Sequence, residues 1–108
     1  MEERLVSFKT WKLARKLDFT YCPTIEGIEE KPTQSLLQEW IWKNSNIWIE
    51  IRLDIRISDG EPLFHLMCIK ANGKQGSSLL FTIDHFEDPY LLLEEGLKRA
   101  LGYVIYHK

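Results

Sequence analysis

The chain has 108 residues, 44% of them apolar and 28% charged, and a net charge of −2. That length supports a single domain, residues 1–108, with one hydrophobic core, and the balance of residue types excludes a disordered chain. A charge so near zero gives no global attraction to nucleic acid or to an acidic membrane, and no apolar run approaches the ~20 residues that span a bilayer.

Residues 1–6 are a polar start ending in Leu5-Val6, after which Ser7 is placed to cap a helix running to about Leu17. Trp11, Leu13, Ala14 and Leu17 give that helix an apolar stripe. Lys9, Lys12, Arg15 and Lys16, at spacings of three and four, give it a basic face. The plainer reading of that face is a solvated surface; the sharper one is contact with phosphate or an acidic partner. Residues 18–32 read as a connection, with Pro23, Gly27 and Pro32 among the acids Glu26, Glu29 and Glu30. Phe19, Tyr21, Ile25 and Ile28 are available to pin it to the core, and a short extra strand is expected around Phe19–Cys22.

Pro32-Thr33-Gln34-Ser35 opens a second helix. Thr33 is its expected cap, with a Ser35–Gln38 capping box as the alternative. Leu36, Leu37, Trp40 and Ile41 form its apolar stripe, Trp42 lies off that stripe, and Asn44-Ser45-Asn46 ends it. From Ile47 to Ile57 every odd position is a large aliphatic, and every even position after Trp48 is charged. Period two over that length predicts a strand with one dry face and one wet face, hence an antiparallel sheet covered on one side.

Asp59-Gly60 is a two-residue type I′ turn signal. It sets Ser58 opposite Glu61, Ile55 opposite Phe64, Leu53 opposite Leu66 and Ile51 opposite Cys68. On the wet face it pairs Arg56 with Leu63, Asp54 with His65, Arg52 with Met67 and Glu50 with Ile69. A third strand over about residues 78–86 follows the loop 72–76. Its register turns Leu79, Phe81 and Ile83 inward, because a one-residue slip would bury Thr82 and Asp84. The same register brings Asp84 opposite His65.

The chain closes with a helix capped by Asp88, with Pro89 at its first position and Leu93, Leu97, Ala100, Leu101 and Val104 as its buried stripe. Glu94 and Glu95 come early and Lys98 and Arg99 later, as the macrodipole favours. Gly96 and Gly102 are places for close approach to the sheet, or for the helix to end near Gly102. The order is α-α-β-β-β-α: a two-layer α+β fold, a three-stranded antiparallel meander with its helices on one face.

Few residues suggest chemistry. Asp54, His65 and Asp84 are expected in one row across the three strands. Such a row could raise an imidazole pKa for acid–base work or hold a metal, but it is read first as a surface charge ladder. His65 and Cys68 point to opposite faces and cannot share an ion, so no metal and no cofactor are expected. The loop of Gly73–Gly76 has no Walker spacing, and no catalytic residue is assigned. Cys22 and Cys68 form no CxxC pair and no leader peptide precedes them, so both are expected as reduced thiols in a cytoplasmic protein.

The wet face is the more informative surface, since it carries Trp48, Leu63, Met67, Ile69, Leu80 and Phe86 besides its charges. That is more apolar area than a free face needs. Three covers are open: the chain's own N-terminal segments, a second copy, or another protein.

At the second helix the residues become familiar. Pro32-Thr33-Gln34-Ser35-Leu36-Leu37-Gln38-Glu39-Trp40-Ile41, running into Asn46-Ile47, resembles a family of short uncharacterised proteins of gut Bacteroidetes bacteria and their prophage-like mobile elements. The stretch Ala14–Phe19 is similar to the end of that family's opening helix, with Asp18 where glycine is usual. Glu94-Glu95-Gly96-Leu97-Lys98-Arg99-Ala100-Leu101 is similar to its ending. The resemblance implies a cytoplasmic, phage- or mobile-element-associated origin and supplies no activity or site residue. The reading as a whole is a non-enzymatic protein-binding or assembly module. The alternative is a nucleic-acid-binding accessory protein using the basic first helix.

Overall fold

A computed structural model describes residues 4–17, 19, 24–25, 28–29, 31–55, 62–86 and 88–107. Helix α1 is Phe8–Lys16. A two-residue ladder, β1 (Thr24–Ile25) against β2 (Ile28–Glu29), lies in the connection, and α2 (Gln34–Ser45) follows it. Strands β3 (Ile47–Ile55), β4 (Pro62–Ala71) and β5 (Ser77–Phe86) form one antiparallel sheet in that order, with a 3₁₀ turn at Gly73–Gln75. Helix α3, Pro89–Tyr106, completes the α+β domain with its helices on one side. Tyr21 and Cys22 of the short strand expected around Phe19–Cys22 lie outside the described residues.

The period-two pattern does what it predicts at the start of β3, where Ile47 and Ile49 are sealed beneath the helices. The helix layer does not reach as far as Leu53, which is 56% exposed although it belongs to the same row. The pairing with β4 is shifted by two residues from the one expected: Ile51 faces Leu66, Leu53 faces Phe64, Arg52 faces His65 and Asp54 faces Leu63. A slip of two leaves every side chain on its own face, so hydrophobic pattern is blind to it. Residues 56–61, including the expected Asp59-Gly60 turn, lie outside the described residues.

Between β4 and β5 the expected register holds at Leu66–Ile83, Met67–Thr82 and Cys68–Phe81. Bulges interrupt it on both sides. Ile69 faces Leu79, leaving Leu80 as an extra residue, and Phe64 faces Phe86, setting Asp84 and His85 together against His65.

The three helices start where their caps direct. Ser7 Oγ accepts from Thr10 N at 3.2 Å, Thr33 Oγ1 from Leu36 N at 3.1 Å and Asp88 Oδ1 from Tyr90 N at 2.8 Å. Thr33 thus takes the role, and the alternative Ser35–Gln38 box does not form. Gln38 Nε2 instead donates to the Ile49 carbonyl of the edge strand β3 at 2.6 Å, which occupies a backbone acceptor that an edge leaves open. Asn46 ends α2 in the left-handed region, φ 57°.

The helices are tied to one another by polar contacts over long sequence separations. Glu94 of α3 accepts from the Ser7 backbone N–H through Oε1, and from the buried Thr10 hydroxyl through Oε2 at 2.6 Å. A capping box normally takes such a glutamate from three residues after the cap; here α3 supplies it. Gln34 Nε2 donates to the Tyr90 carbonyl at 2.9 Å, and the Phe19 ring meets Trp40 edge-on at 5.0 Å. The segment before α1 is laced to the entry of α2 by Val6 N–H to Pro32 O and Gln34 N–H to Arg4 O.

Leu92, Leu97, Ala100 and Leu101 of α3 pack with Leu37 and Ile41 of α2 over Leu66 and Cys68. The two glycines of α3 behave differently. A Cβ on Gly96 would lie 2.4 Å from Leu66 Cδ1, so helix and sheet touch there; Gly102 has nothing within 4 Å and the helix runs past it to Tyr106.

Two stability predictions follow from these contacts. Gly102→Ala should raise the urea-denaturation free energy by about 0.8–1 kcal/mol through helix propensity. Gly96→Ala should lower it by about 1–2 kcal/mol, since crowding a fully buried leucine outweighs the same gain. Glu94→Ala should cost about 1–3 kcal/mol, because it removes two hydrogen bonds to a carboxylate, from the Ser7 N–H and from the Thr10 hydroxyl, which keeps only Ser7 Oγ at 3.0 Å. The helical circular dichroism of α1 should weaken with it.

Candidate functional site

The sheet face turned away from the helices carries a row of apolar side chains straight across the strands: Trp48 on β3 opposite Ile69 on β4, which faces Leu79 on β5. Trp48 is 46% exposed and Leu79 60% exposed. Trp42, from the last turn of α2, meets Trp48 edge-on at 5.7 Å and 83°. Since β3 is an edge strand, this contact extends the row past the sheet edge onto the helix. Met67 is half-buried in the next row, between Glu50 and Thr82.

Of the expected surface, Trp48, Met67 and Ile69 stand together. Leu63 is half-buried further along β4, opposite Asp54. Leu80 does not join them, because the bulge makes it the extra residue and it packs against the core. Its place is taken by Leu79, which had been expected inside. Phe86 stands opposite Phe64 in the register, and its side chain lies outside the described residues. The sequence did carry a signal for the exchange: Leu79-Leu80-Phe81 is three large apolar residues in succession, which strict alternation cannot place.

The polar end of the face is not the row the sequence suggested. Asp54 is opposite Leu63 rather than His65, and its side chain lies outside the described residues. His65 faces Arg52 on one side and the Asp84–His85 bulge on the other. Glu50 and Arg52 make an open ion pair at 3.5 Å. Among the described residues no three His, Cys, Asp or Glu side chains gather as a metal site would need.

Lys9, Lys12, Arg15 and Lys16 are all exposed along α1. Together with Phe8, Trp11 and Lys98 of α3 they line an open groove of about 610 Å³. A second cleft, of about 460 Å³, lies where α2 and α3 end, lined by Asn44, Ser45, Lys70, Tyr103 and His107 among others.

Among the described residues, two groups titrate away from their ordinary values. Burial pushes the Cys68 thiol up to about 12. Glu95 is lowered, first by its hydrogen bond from Lys98; desolvation opposes this, and a weaker bond from Arg99 adds to the lowering. The sign for Glu95 is that of a depressed carboxylate: its small contribution to stability is present above the ordinary carboxylate range and is lost as the pH falls through the folded value.

Comparison with protein-family models, with curated proteins and with solved structures returned no match.

The thiol supplies a direct check on the core. In a Cys22→Ser variant, Cys68 should stay unlabelled by iodoacetamide near pH 9 while the chain is folded, and react once it is unfolded in guanidinium, because only the unfolded chain forms thiolate at that pH. As the pH rises above 9.0 the unfolded state loses this proton and the folded state keeps it, so the thiol's effect on stability becomes unfavourable.

Proposed function

We propose that the protein is a small non-enzymatic assembly module, and that its uncovered sheet face closes on the same face of a second copy. The observation that carries this reading is the Trp48–Ile69–Leu79 row, extended by Trp42, on the face away from the three described helices. Aromatic and aliphatic side chains at the centre of a patch, with Met and Arg beside them, are the composition of an interface core. A two-fold contact places each group near its own counterpart or a neighbour of it. Glu50, Arg52 and Asp84 carry both signs beside the row, so a copy can meet each charge with its opposite.

The size of the face sets the strength. Three strands about 4.8 Å apart, each about nine residues long, make a surface of roughly 15 by 30 Å. Two such faces bury roughly 900 Å² in total, below the range of standard stable interfaces. Association is therefore weak and reversible. The mobile-element origin and cytoplasmic location implied by the resemblance belong to the same proposal, and genomic neighbourhood tests them.

Sedimentation velocity between about 10 μM and about 1 mM, a range that brackets weak dissociation constants, should show a mass rising from monomer to dimer. Trp48→Glu should weaken that rise at least tenfold, roughly what losing a central aromatic costs, while the folded helical spectrum stays unchanged. A mass that stays monomeric to the top of that range would sink the proposal.

A further inference from the structure

Helix α1 reads Phe-Lys-Thr-Trp-Lys-Leu-Ala-Arg-Lys, four cations and no acid in nine residues. On an ordinary solvated helix, opposite charges at spacings of three and four attract. Here Lys9–Lys12, Lys12–Arg15 and Lys12–Lys16 all repel, and Lys9 in the first turn opposes the positive end of the macrodipole. Arg15 and Lys16, in the last turn, suit the macrodipole, so Lys9 and Lys12 are the cations that folding alone does not call for, in a chain whose net charge is −2. Among the described residues, Lys9, Lys12 and Lys16 make no ion pair.

The same helix presents aromatic rings among those cations. Phe8 is 58% exposed, with the Lys12 ammonium 5.1 Å from its ring centroid. Trp11 lies edge-on to Phe8 at 6.1 Å, with the Arg15 guanidinium 5.2 Å from its own ring. Lys98 of α3, paired with Glu95 at 2.9 Å, lines the other side, so the basic wall of the groove is α1. A ring face for a base and ammonium groups for the backbone are what a groove for an unpaired strand offers.

We propose that the groove between α1 and α3 binds single-stranded nucleic acid, with Phe8 stacking on a base and Lys9, Lys12 and Lys16 holding phosphates. The geometry separates this ligand from two other polyanions. A helix that reads duplex DNA must enter a major groove ~8.5 Å deep, whereas α1 lies along α3 as the wall of a groove, pinned at Ser7 and Thr10 by Glu94. An anionic bilayer is bound by a helix with a broad apolar face free to insert. The apolar stripe of α1 is already spent on the core, through buried Ala14 and packed Leu13 and Leu17. The groove is on the helix side of the domain and the apolar row on the outer sheet face, so this proposal and the assembly proposal stand or fall separately.

The test is fluorescence anisotropy with a labelled oligothymidylate of about 15 nucleotides, in salt from about 50 to 200 mM. Binding should weaken with salt, log K falling by about 0.7 per log unit for each phosphate neutralised, or roughly 2–3 in all. Lys12→Glu with Lys16→Glu should cut affinity at least tenfold and flatten that slope by about half. Phe8→Ala should cut affinity about tenfold and leave the slope unchanged, which a purely electrostatic surface would not do. Trp48→Glu should bind as the unaltered chain does, and all variants should keep the wild-type helical spectrum. The proposal is overturned by no binding at the lowest salt, by equal displacement with duplex DNA or phosphatidylserine vesicles, or by an affinity indifferent to Phe8→Ala.

Discussion

The helix layer depends on one carboxylate. A helix of nine residues is too short to be stable alone, and α1 adds repelling cations and no acid of its own. What holds it is Glu94, which takes the Ser7 N–H and the Thr10 hydroxyl at once, from the other end of the chain. Because α3 supplies the acid that a local capping box would have placed within α1, the first turn of α1 needs no acid of its own.

Other residues of the helix layer make ties of the same kind. Thr33 caps α2, Gln34 bonds the first turn of α3, and Gln38 bonds the edge of β3. Phe19 and Trp40 meet each other, Glu94 holds α1, and Gly96 gives Leu66 its space. In this chain each such residue joins one element to another.

What was legible in the sequence was local. Ser7, Thr33 and Asp88 announce helix starts because a cap acts within three residues of itself, and Ile47–Ile51 announce a strand because alternation is a property of neighbours. The register was not legible, because moving β4 by two residues past β3 leaves each aliphatic on the same side. Only the connection can choose between such alignments, and a short turn signal at Asp59-Gly60 named the wrong one. The exchange of Leu79 for Leu80 at the surface has the same root: a bulge reverses the sense of alternation at one point, and its only trace is an unbroken apolar triplet. Glu94 was legible as an early acid of α3, but not as the partner of a helix more than 80 residues earlier.

The placement of polar groups bears on the kind of function. Catalytic groups are recognised by displaced titration in a cleft that a substrate can enter. Among the described residues, the group displaced furthest is Cys68, sealed in the core between β4 and α3, and no substrate reaches it. Glu95 is displaced by neighbours three and four positions along its own helix, on the surface. The open groove along α1 and the outer sheet face are lined instead by rings, aliphatics and ammonium groups. The polar bonds of Glu94, Gln34 and Gln38 join elements to one another, while the aromatic side chains of Phe8, Trp42, Trp48 and Tyr106 stay exposed.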